Sequence, residues 1–170
     1  MSEQIIDKKR IGYCRDMARK ILSKYGEVNH PIDIFKIAEE EGFDVKSLNQ
    51  PKGFSGILNA ELKAIGINEN HHPHRQRFSV AHEMGHYYLG HPPVQELQHI
   101  DEGAATEKIH DTEANEFAGE LLVPMNMLKK EVKIMNNIED LAIRFNVSKE
   151  VMTIQVMKYG LLNKFVNINE

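Results

Sequence analysis

Cysteine is nearly missing from this chain of 170 residues: Cys14 stands alone, so no disulfide can form within it. Its expected role is a buried structural thiol rather than a reactive one. Long apolar runs are missing as well, and nothing approaches the roughly 20 residues that span a bilayer. The opening MSEQIIDKKR is polar and charged and lacks the apolar core of a secretion signal. A cytoplasmic protein without membrane association is the expectation. Positive charge is not in excess either. A formal charge of −4 argues against tight, non-specific binding to nucleic acid over the whole surface. No linker, internal repeat or low-complexity segment interrupts the chain. With 41% apolar residues it has enough material for one compact domain spanning 1–170.

Periodicity divides that domain into parts. Residues 5–25 read as an amphipathic helix with Ile11, Cys14, Met17, Ala18, Ile21 and Leu22 on one side, ended by Gly26. Residues 31–41 read as a second, short helix that stops at Gly42. From Phe43 to Asn68 the pattern is β-like, with a hairpin of 53–59 against 64–68 and turn signals at 49–53 and 59–62. Two further helices and a helical tail follow. The expected class is α+β: mostly helical, with a small antiparallel sheet and a helix-turn-helix-like C-terminal tail. A core of 32–124 would carry the tail, 125–170.

The most informative stretch is His82-Glu83-Met84-Gly85-His86. On a helix, side chains four apart share a face, so both imidazoles can reach one metal ion. Glu83, one step round, can then meet a water beside that metal and take its proton. The flanks are helical in character. Between Arg75 and Leu89 there is no Pro, and Phe78, Ala81, Gly85 and Leu89 form an apolar stripe. Gly90 and Pro92-Pro93 close the segment. Gly85 lowers helix propensity by about 1 kcal/mol relative to Ala, so the missing side chain suggests that another backbone or a substrate comes close. A core helix with two hydrogen-bonded histidines is the bland alternative, and a third ligand decides between the two.

A hydrolytic zinc site needs three protein ligands and one open position. The metzincin spacing would put a third His at Pro92, and His91 misses by one residue. A carboxylate from a second helix is the remaining option, and Asp111–Pro124, DTEANEFAGELLVP, has the right character. At about 3.6 residues per turn, Asp111, Ala114, Asn115, Ala118 and Leu122 share one stripe. Glu113, Glu116 and Glu120 share the opposite one, which reads as a solvated acidic face. Asp111 therefore ranks ahead of Glu113 as the third ligand, with Asn115 placed to hydrogen-bond a ligand His. A helix N-terminal residue favoured by the dipole is the competing reading of Asp111.

RQRFSVAHEMGHYYLGH followed by DTEANEFAGELLVP resembles the ImmA/IrrE group of bacterial and phage metallopeptidases. Arg77, Phe78, Ser79, Ala81, His82, Glu83 and His86 match the first half of that pattern. Ala114, Asn115, Phe117, Ala118, Leu121, Leu122 and Pro124 match the second. The resemblance runs from about Ile32 to about Leu162. It implies a zincin-like fold, a zinc-dependent peptidase and, as substrate, a DNA-binding repressor of the helix-turn-helix kind from a phage, mobile element or stress response. The family's acidic ligand falls on Asp111, one methylene shorter than the usual Glu, which keeps Glu113 open as the alternative.

The expected mechanism has His82, His86 and Asp111 holding Zn2+, or Mn2+ or another divalent ion, with Glu83 as general base. Tyr87, Tyr88, Arg75 and His91 are candidates for stabilising the oxyanion. Arg77 is expected to anchor the fold instead. The rival from a different class is a non-catalytic, zinc-containing regulatory module that binds a repressor or DNA through its tail. In that tail Asn146 reads as a turn and Ser148 as a helix cap, with Met152, Ile154, Val156 and Met157 as core. Lys149, Glu150 and Gln155 give a poor base-reading surface, so a packing helical pair is favoured over direct DNA recognition. His71, His72 and His74 read as a polar loop rather than a metal patch.

Overall fold

The computed structural model describes residues 9–26, 28–93 and 103–166. Helix α1 spans Ile11–Ser23, α2 Ile34–Glu40, and three strands follow: β1 Asp44–Leu48, β2 Gly56–Asn59 and β3 Ala64–Asn68. The remaining helices are α3 Pro73–Tyr88, α4 Gly103–Leu122, α5 Met125–Glu131, α6 Ile138–Phe145, α7 Lys149–Lys158 and α8 Asn163–Val166. The class is α+β, as expected.

Local chemistry accounts for most boundaries. The Asp33 carboxylate accepts from the Lys36 N–H and starts α2 three residues into the segment expected to be helical. His72 caps α3 by accepting from the His74 N–H, and Pro73 occupies its first turn, where a missing N–H costs nothing. The His71 ring meets the Lys52 carbonyl at 2.8 Å, so these histidines serve a loop and a cap. Asn137 and Ser148 cap α6 and α7, and Asn146 sits between them in the left-handed region at φ 53. The helix-turn-helix-like shape of the tail is therefore present. Helix α1 begins at Ile11 rather than at residue 5; residues 5–8 lie outside the described part of the chain.

The sheet has the order β1-β3-β2. The expected hairpin pairs antiparallel, Gly56 opposite Ile67 and Asn59 opposite Ala64. β1 pairs with β3 in parallel, Asp44 opposite Ala64 and Leu48 opposite Asn68, so the sheet is mixed rather than wholly antiparallel. The hairpin inserts β3 between β1 and β2, which leaves β2 at an edge. Ile65 and Ile67 of β3 point into the core with Met84 of α3 and Phe117, Leu121 and Leu122 of α4. Among the described residues no helix is long and apolar enough to cross a membrane.

Helix α4 corrects the sequence reading in two ways. It starts at Gly103, about two turns before Asp111. Its acidic stripe is also not solvated: Glu113 and Glu120 are 1% exposed, and Glu116 is buried with them. Helix α1 lies across this stripe and answers each carboxylate with an arginine. Arg10 meets Glu113 at 2.7 Å, Arg15 meets Glu116 at 3.1 Å and Arg19 meets Glu120 at 2.9 Å. Lys158 also pairs with Glu116, and the Tyr159 hydroxyl donates to Glu120, which ties the tail to the same face. Burying a carboxylate is costly unless it is paired and hydrogen-bonded, and all three are.

Two other side chains lock the tail to the core. Arg77 is buried in α3 and donates to the Ile32 carbonyl at 2.7 Å and to the Asn146 carbonyl at 3.0 Å. Gln155 of α7 packs directly on Gly119 of α4. Met152 and Val156 are core residues as expected, but Ile154 and Met157 are exposed, because α7 buries only the stripe that faces α6 and α4. Cys14 is fully buried, and burial pushes its thiol up to about 11, which fits an inert structural residue.

Candidate metal centre

Helices α3 and α4 cross in close contact at one point. A Cβ on Gly85 would lie 3.1 Å from the Ala114 Cα and 3.2 Å from its carbonyl oxygen. A larger residue at either position would hold the helices apart. The close approach sets Asp111, one turn before Ala114, opposite the histidines of α3. The Asp111 Oδ1 lies 3.4 Å from the His86 Nε2 and 3.6 Å from the His82 Nε2. The two Nε2 atoms are 2.9 Å apart. One ligand atom from each of the three residues falls within a 4.8 Å span. Asp111 itself is 59% exposed, so this corner of the site opens to solvent.

Hydrogen bonding behind the rings decides which nitrogens carry protons. The His82 Nδ1 is 2.8 Å from the Asn115 Oδ1, which can only accept, so Nδ1 carries the hydrogen and Nε2 presents a lone pair. Behind His86 stands a longer chain. The Glu113 Oε2 is 2.9 Å from the His91 Nε2, and the His91 Nδ1 is 2.8 Å from the His86 Nδ1. Burial alone would raise the Glu113 pKa, but hydrogen bonds from Arg10 and His91 overcome it and hold the carboxyl at about 2. An ionised Glu113 must accept from His91, and His91 must then accept from His86. The His86 Nε2 is left with its lone pair. Two imidazole lone pairs and a carboxylate thus converge without a donor among them, a set that a divalent cation fits and that is repulsive otherwise.

Charge in the cluster follows from this. Burial lowers the His86 pKa, and the neighbouring His82 and His91 lower it further. Burial opposes protonation of His82 too, but Asp111, Glu83 and Asn115 outweigh it and raise its pKa. A cation bound at these nitrogens would compete with their protonation.

Glu83 sits beside this cluster, on the side facing the sheet. A Cβ on Gly56, the first residue of β2, would come 3.2 Å from the Glu83 Oε1. Burial raises the Glu83 pKa to about 6; His82 opposes the rise and Asp111 adds to it. The carboxylate therefore faces the edge strand.

The other sequence candidates separate clearly. Glu113 is engaged by Arg10 and His91 and is not among the grouped ligand atoms. Tyr88 donates to Glu41 and Tyr87 packs edge-on against Phe43, with ring centroids 5.1 Å apart; both rings belong to the core side of α3. His91 lies behind His86 rather than over the open corner, stacked on His110 at 4.2 Å. Arg75 is exposed and donates to the Ser55 hydroxyl at 2.9 Å, next to Gly56, which leaves it nearest the strand edge. Sequence reasoning missed Arg10 and the supporting role of His91. The signal for His91 was Gly90, whose φ of 68 turns the chain back so that the His91 N–H reaches the His86 carbonyl at 3.0 Å.

Comparison with known proteins agrees with the motif. The profile of the peptidase family M78, described as the IrrE N-terminal-like domain, matches residues 38–157. The radiation response metalloprotease IrrE of Deinococcus radiodurans is 34% identical over 86 residues, which cover 49% of this chain and 26% of that protein. A transcriptional regulator of Mycobacterium tuberculosis has a similar fold, with a TM-score of 0.66 at 17% identity over 85% of this chain and 46% of that one. The chain thus spans about a quarter of the curated relative and less than half of the structural one. The motif, the pairing of α3 with α4 and a profile match across most of the sequence lead to one conclusion: this chain belongs to the ImmA/IrrE family of metallopeptidases.

Proposed function

We propose that this protein is a zinc-dependent endopeptidase in which His82, His86 and Asp111 hold the metal and Glu83 is the general base. The observation that carries this reading is the convergence of one ligand atom each from His82, His86 and Asp111 beside a carboxylate whose pKa is raised to about 6. A bound zinc ion supplies Lewis acidity, polarising a carbonyl and lowering the pKa of water toward ~7. With three protein ligands, one position remains for that chemistry, unlike a closed structural site with four.

The chain's own groups supply the rest. Glu83 takes a proton from the attacking water as its oxygen bonds to the peptide carbonyl carbon. The same carboxyl then gives that proton to the amine nitrogen as the C–N bond breaks. A pKa near neutrality suits a group that must act first as base and then as acid. Asn115, by holding the His82 ring, keeps its Nε2 aimed at the cluster. The outer edge of β2 has no strand neighbour among the described residues, and its first residue touches Glu83. Extended substrate backbone adding to that edge would bring its carbonyl to the site. Arg75, at the same edge, is the best placed donor for the oxyanion.

The resemblance to IrrE-type proteins supports a regulatory protein of the helix-turn-helix class as substrate. The test uses purified wild type and Glu83→Gln, incubated with helix-turn-helix regulators encoded near the gene, with zinc content measured on both. Equal zinc in both, with cleavage by the wild type alone, is the expected result. Cleavage by both would remove Glu83 from the chemistry. Zinc in both with cleavage by neither would favour a non-catalytic binding module.

A further inference from the structure

Helix α1 lies outside the segment matched by the family profile, yet its N-terminal cap reaches the metal centre. Arg10 binds Glu113 through three nitrogens: its backbone N at 2.7 Å, its Nε at 3.1 Å and its Nη2 at 2.7 Å. Its Nη2 also donates to the Leu89 carbonyl at 3.3 Å, at the end of α3. Glu113 in turn holds His91, and His91 meets the Nδ1 of His86. The Glu113 and His91 side chains are both 2% exposed, so water cannot take over these bonds.

We propose that Arg10, Glu113 and His91 form a positioning relay that fixes the tautomer and ring orientation of His86 and thereby sets metal affinity. The proposal rests on His86 being a ligand, as in the reading above. Its chemistry is directional. Glu113 as a fixed acceptor turns His91 into an acceptor toward His86, which keeps the hydrogen on the His86 Nδ1 and off its Nε2. Without Glu113, His91 is free to reverse its tautomer and donate to His86, which would put a proton where the metal should bind. Arg10 neutralises Glu113 and holds both oxygens in place. The two lower rungs, Arg15 with Glu116 and Arg19 with Glu120, have no such link to a ligand and serve only to dock the helices.

The test measures zinc dissociation constants by competition with a chromophoric chelator, on wild type, Glu113→Gln, His91→Phe, Arg10→Met and Arg19→Met. The first three variants should bind zinc about tenfold to a hundredfold more weakly at unchanged stoichiometry, while Arg19→Met stays within about twofold of wild type. Imidazole nitrogen NMR on the zinc-free chain supplies a signature that helix docking alone would not move. His86 should be protonated at Nδ1 in the wild type and become a tautomer mixture in Glu113→Gln. If His91→Phe fails to fold, Glu113→Gln, which keeps shape and volume, decides the matter. Unchanged affinity in Glu113→Gln and Arg10→Met would overturn the relay while leaving the ligand set intact. Equal weakening in Arg19→Met would reduce the effect to general stability and overturn it too. A wild type that binds no zinc would overturn both the relay and the reading on which it rests.

Discussion

The Cβ that Gly85 lacks would stand 3.1 Å from the Cα of Ala114, so α3 and α4 touch backbone to backbone. That contact lies between the two histidines in sequence and one turn after Asp111. Under the proposed ligand set, the spacing of α3 and α4 at this point sets how far the short Asp111 side chain must reach.

Substitution at Gly85 should therefore act on stability and metal together. Ala gains about 1 kcal/mol of helix propensity but meets the Ala114 backbone. Val adds two methyl groups to the same contact, where overpacking typically costs about 1–3 kcal/mol. Urea unfolding of the zinc-free chain should rank wild type above Gly85→Val, with Gly85→Ala between them. Zinc affinity should fall in the same order.

Gly56 offers a complementary test on the other side of Glu83. A Cβ there would press on the Glu83 carboxylate and on the Gly66 carbonyl, each at 3.2 Å. Gly56→Val should retain one zinc per chain and lose about a hundredfold in peptide hydrolysis, the size of effect a displacement of roughly 1 Å produces. Zinc content and turnover measured on the same preparation separate the two.

The lower rungs of the charge ladder make a stability prediction. Removing Arg19 leaves the buried Glu120 with only the Tyr159 hydroxyl and the Met125 N–H as partners. A buried acceptor that loses a partner typically costs about 1–3 kcal/mol. Arg19→Met should lower unfolding stability by about 2 kcal/mol in denaturant titration, and adding Glu120→Met should recover part of that loss, because an apolar pair replaces a stranded charge.

Acid stability should depend on Glu41. This carboxylate accepts from Lys24, Tyr25 and Tyr88, joining the ends of α1, α2 and α3. Burial would raise its pKa, but those three donors outweigh burial and lower it. The folded-state value thus lies below the unfolded one of about 4.3, so the stabilisation is fully present above that pH and is lost as pH falls through the folded-state value. Glu41→Gln should be less stable near neutrality and should show a shallower loss of stability below about pH 4.3 in denaturant titrations run across the acid range.

Much of the site was legible in the residues themselves. The four-residue spacing of His82 and His86, the stripe that carries Asp111 with Asn115, and a glycine between two histidines are readable from helical periodicity, and the backbone brings Asp111 and Asn115 opposite the two rings, although both are exposed rather than packed inward. The Gly53 to Asn68 hairpin was marked by its own turn. What periodicity could not tell was the partner of a face. Glu113, Glu116 and Glu120 form the same pattern whether they meet water or Arg10, Arg15 and Arg19, and those arginines lie about a hundred residues away. The parallel pairing of β1 likewise depends on β3 slipping between β1 and β2, which no local signal records. His91 was noticed for its position in the sequence and left among four oxyanion candidates; its place behind His86 depends on the turn at Gly90, which no periodicity records.

The proposed chemistry requires one divalent ion between α3 and α4. Crystals of the zinc-loaded protein, with data collected on both sides of the zinc absorption edge, test it most directly. One anomalous peak per chain is expected, about 2.0–2.2 Å from the Nε2 atoms of His82 and His86 and from an oxygen of Asp111. A peak bound to Glu113 or to the histidines before α3, with none between His82 and His86, would contradict it.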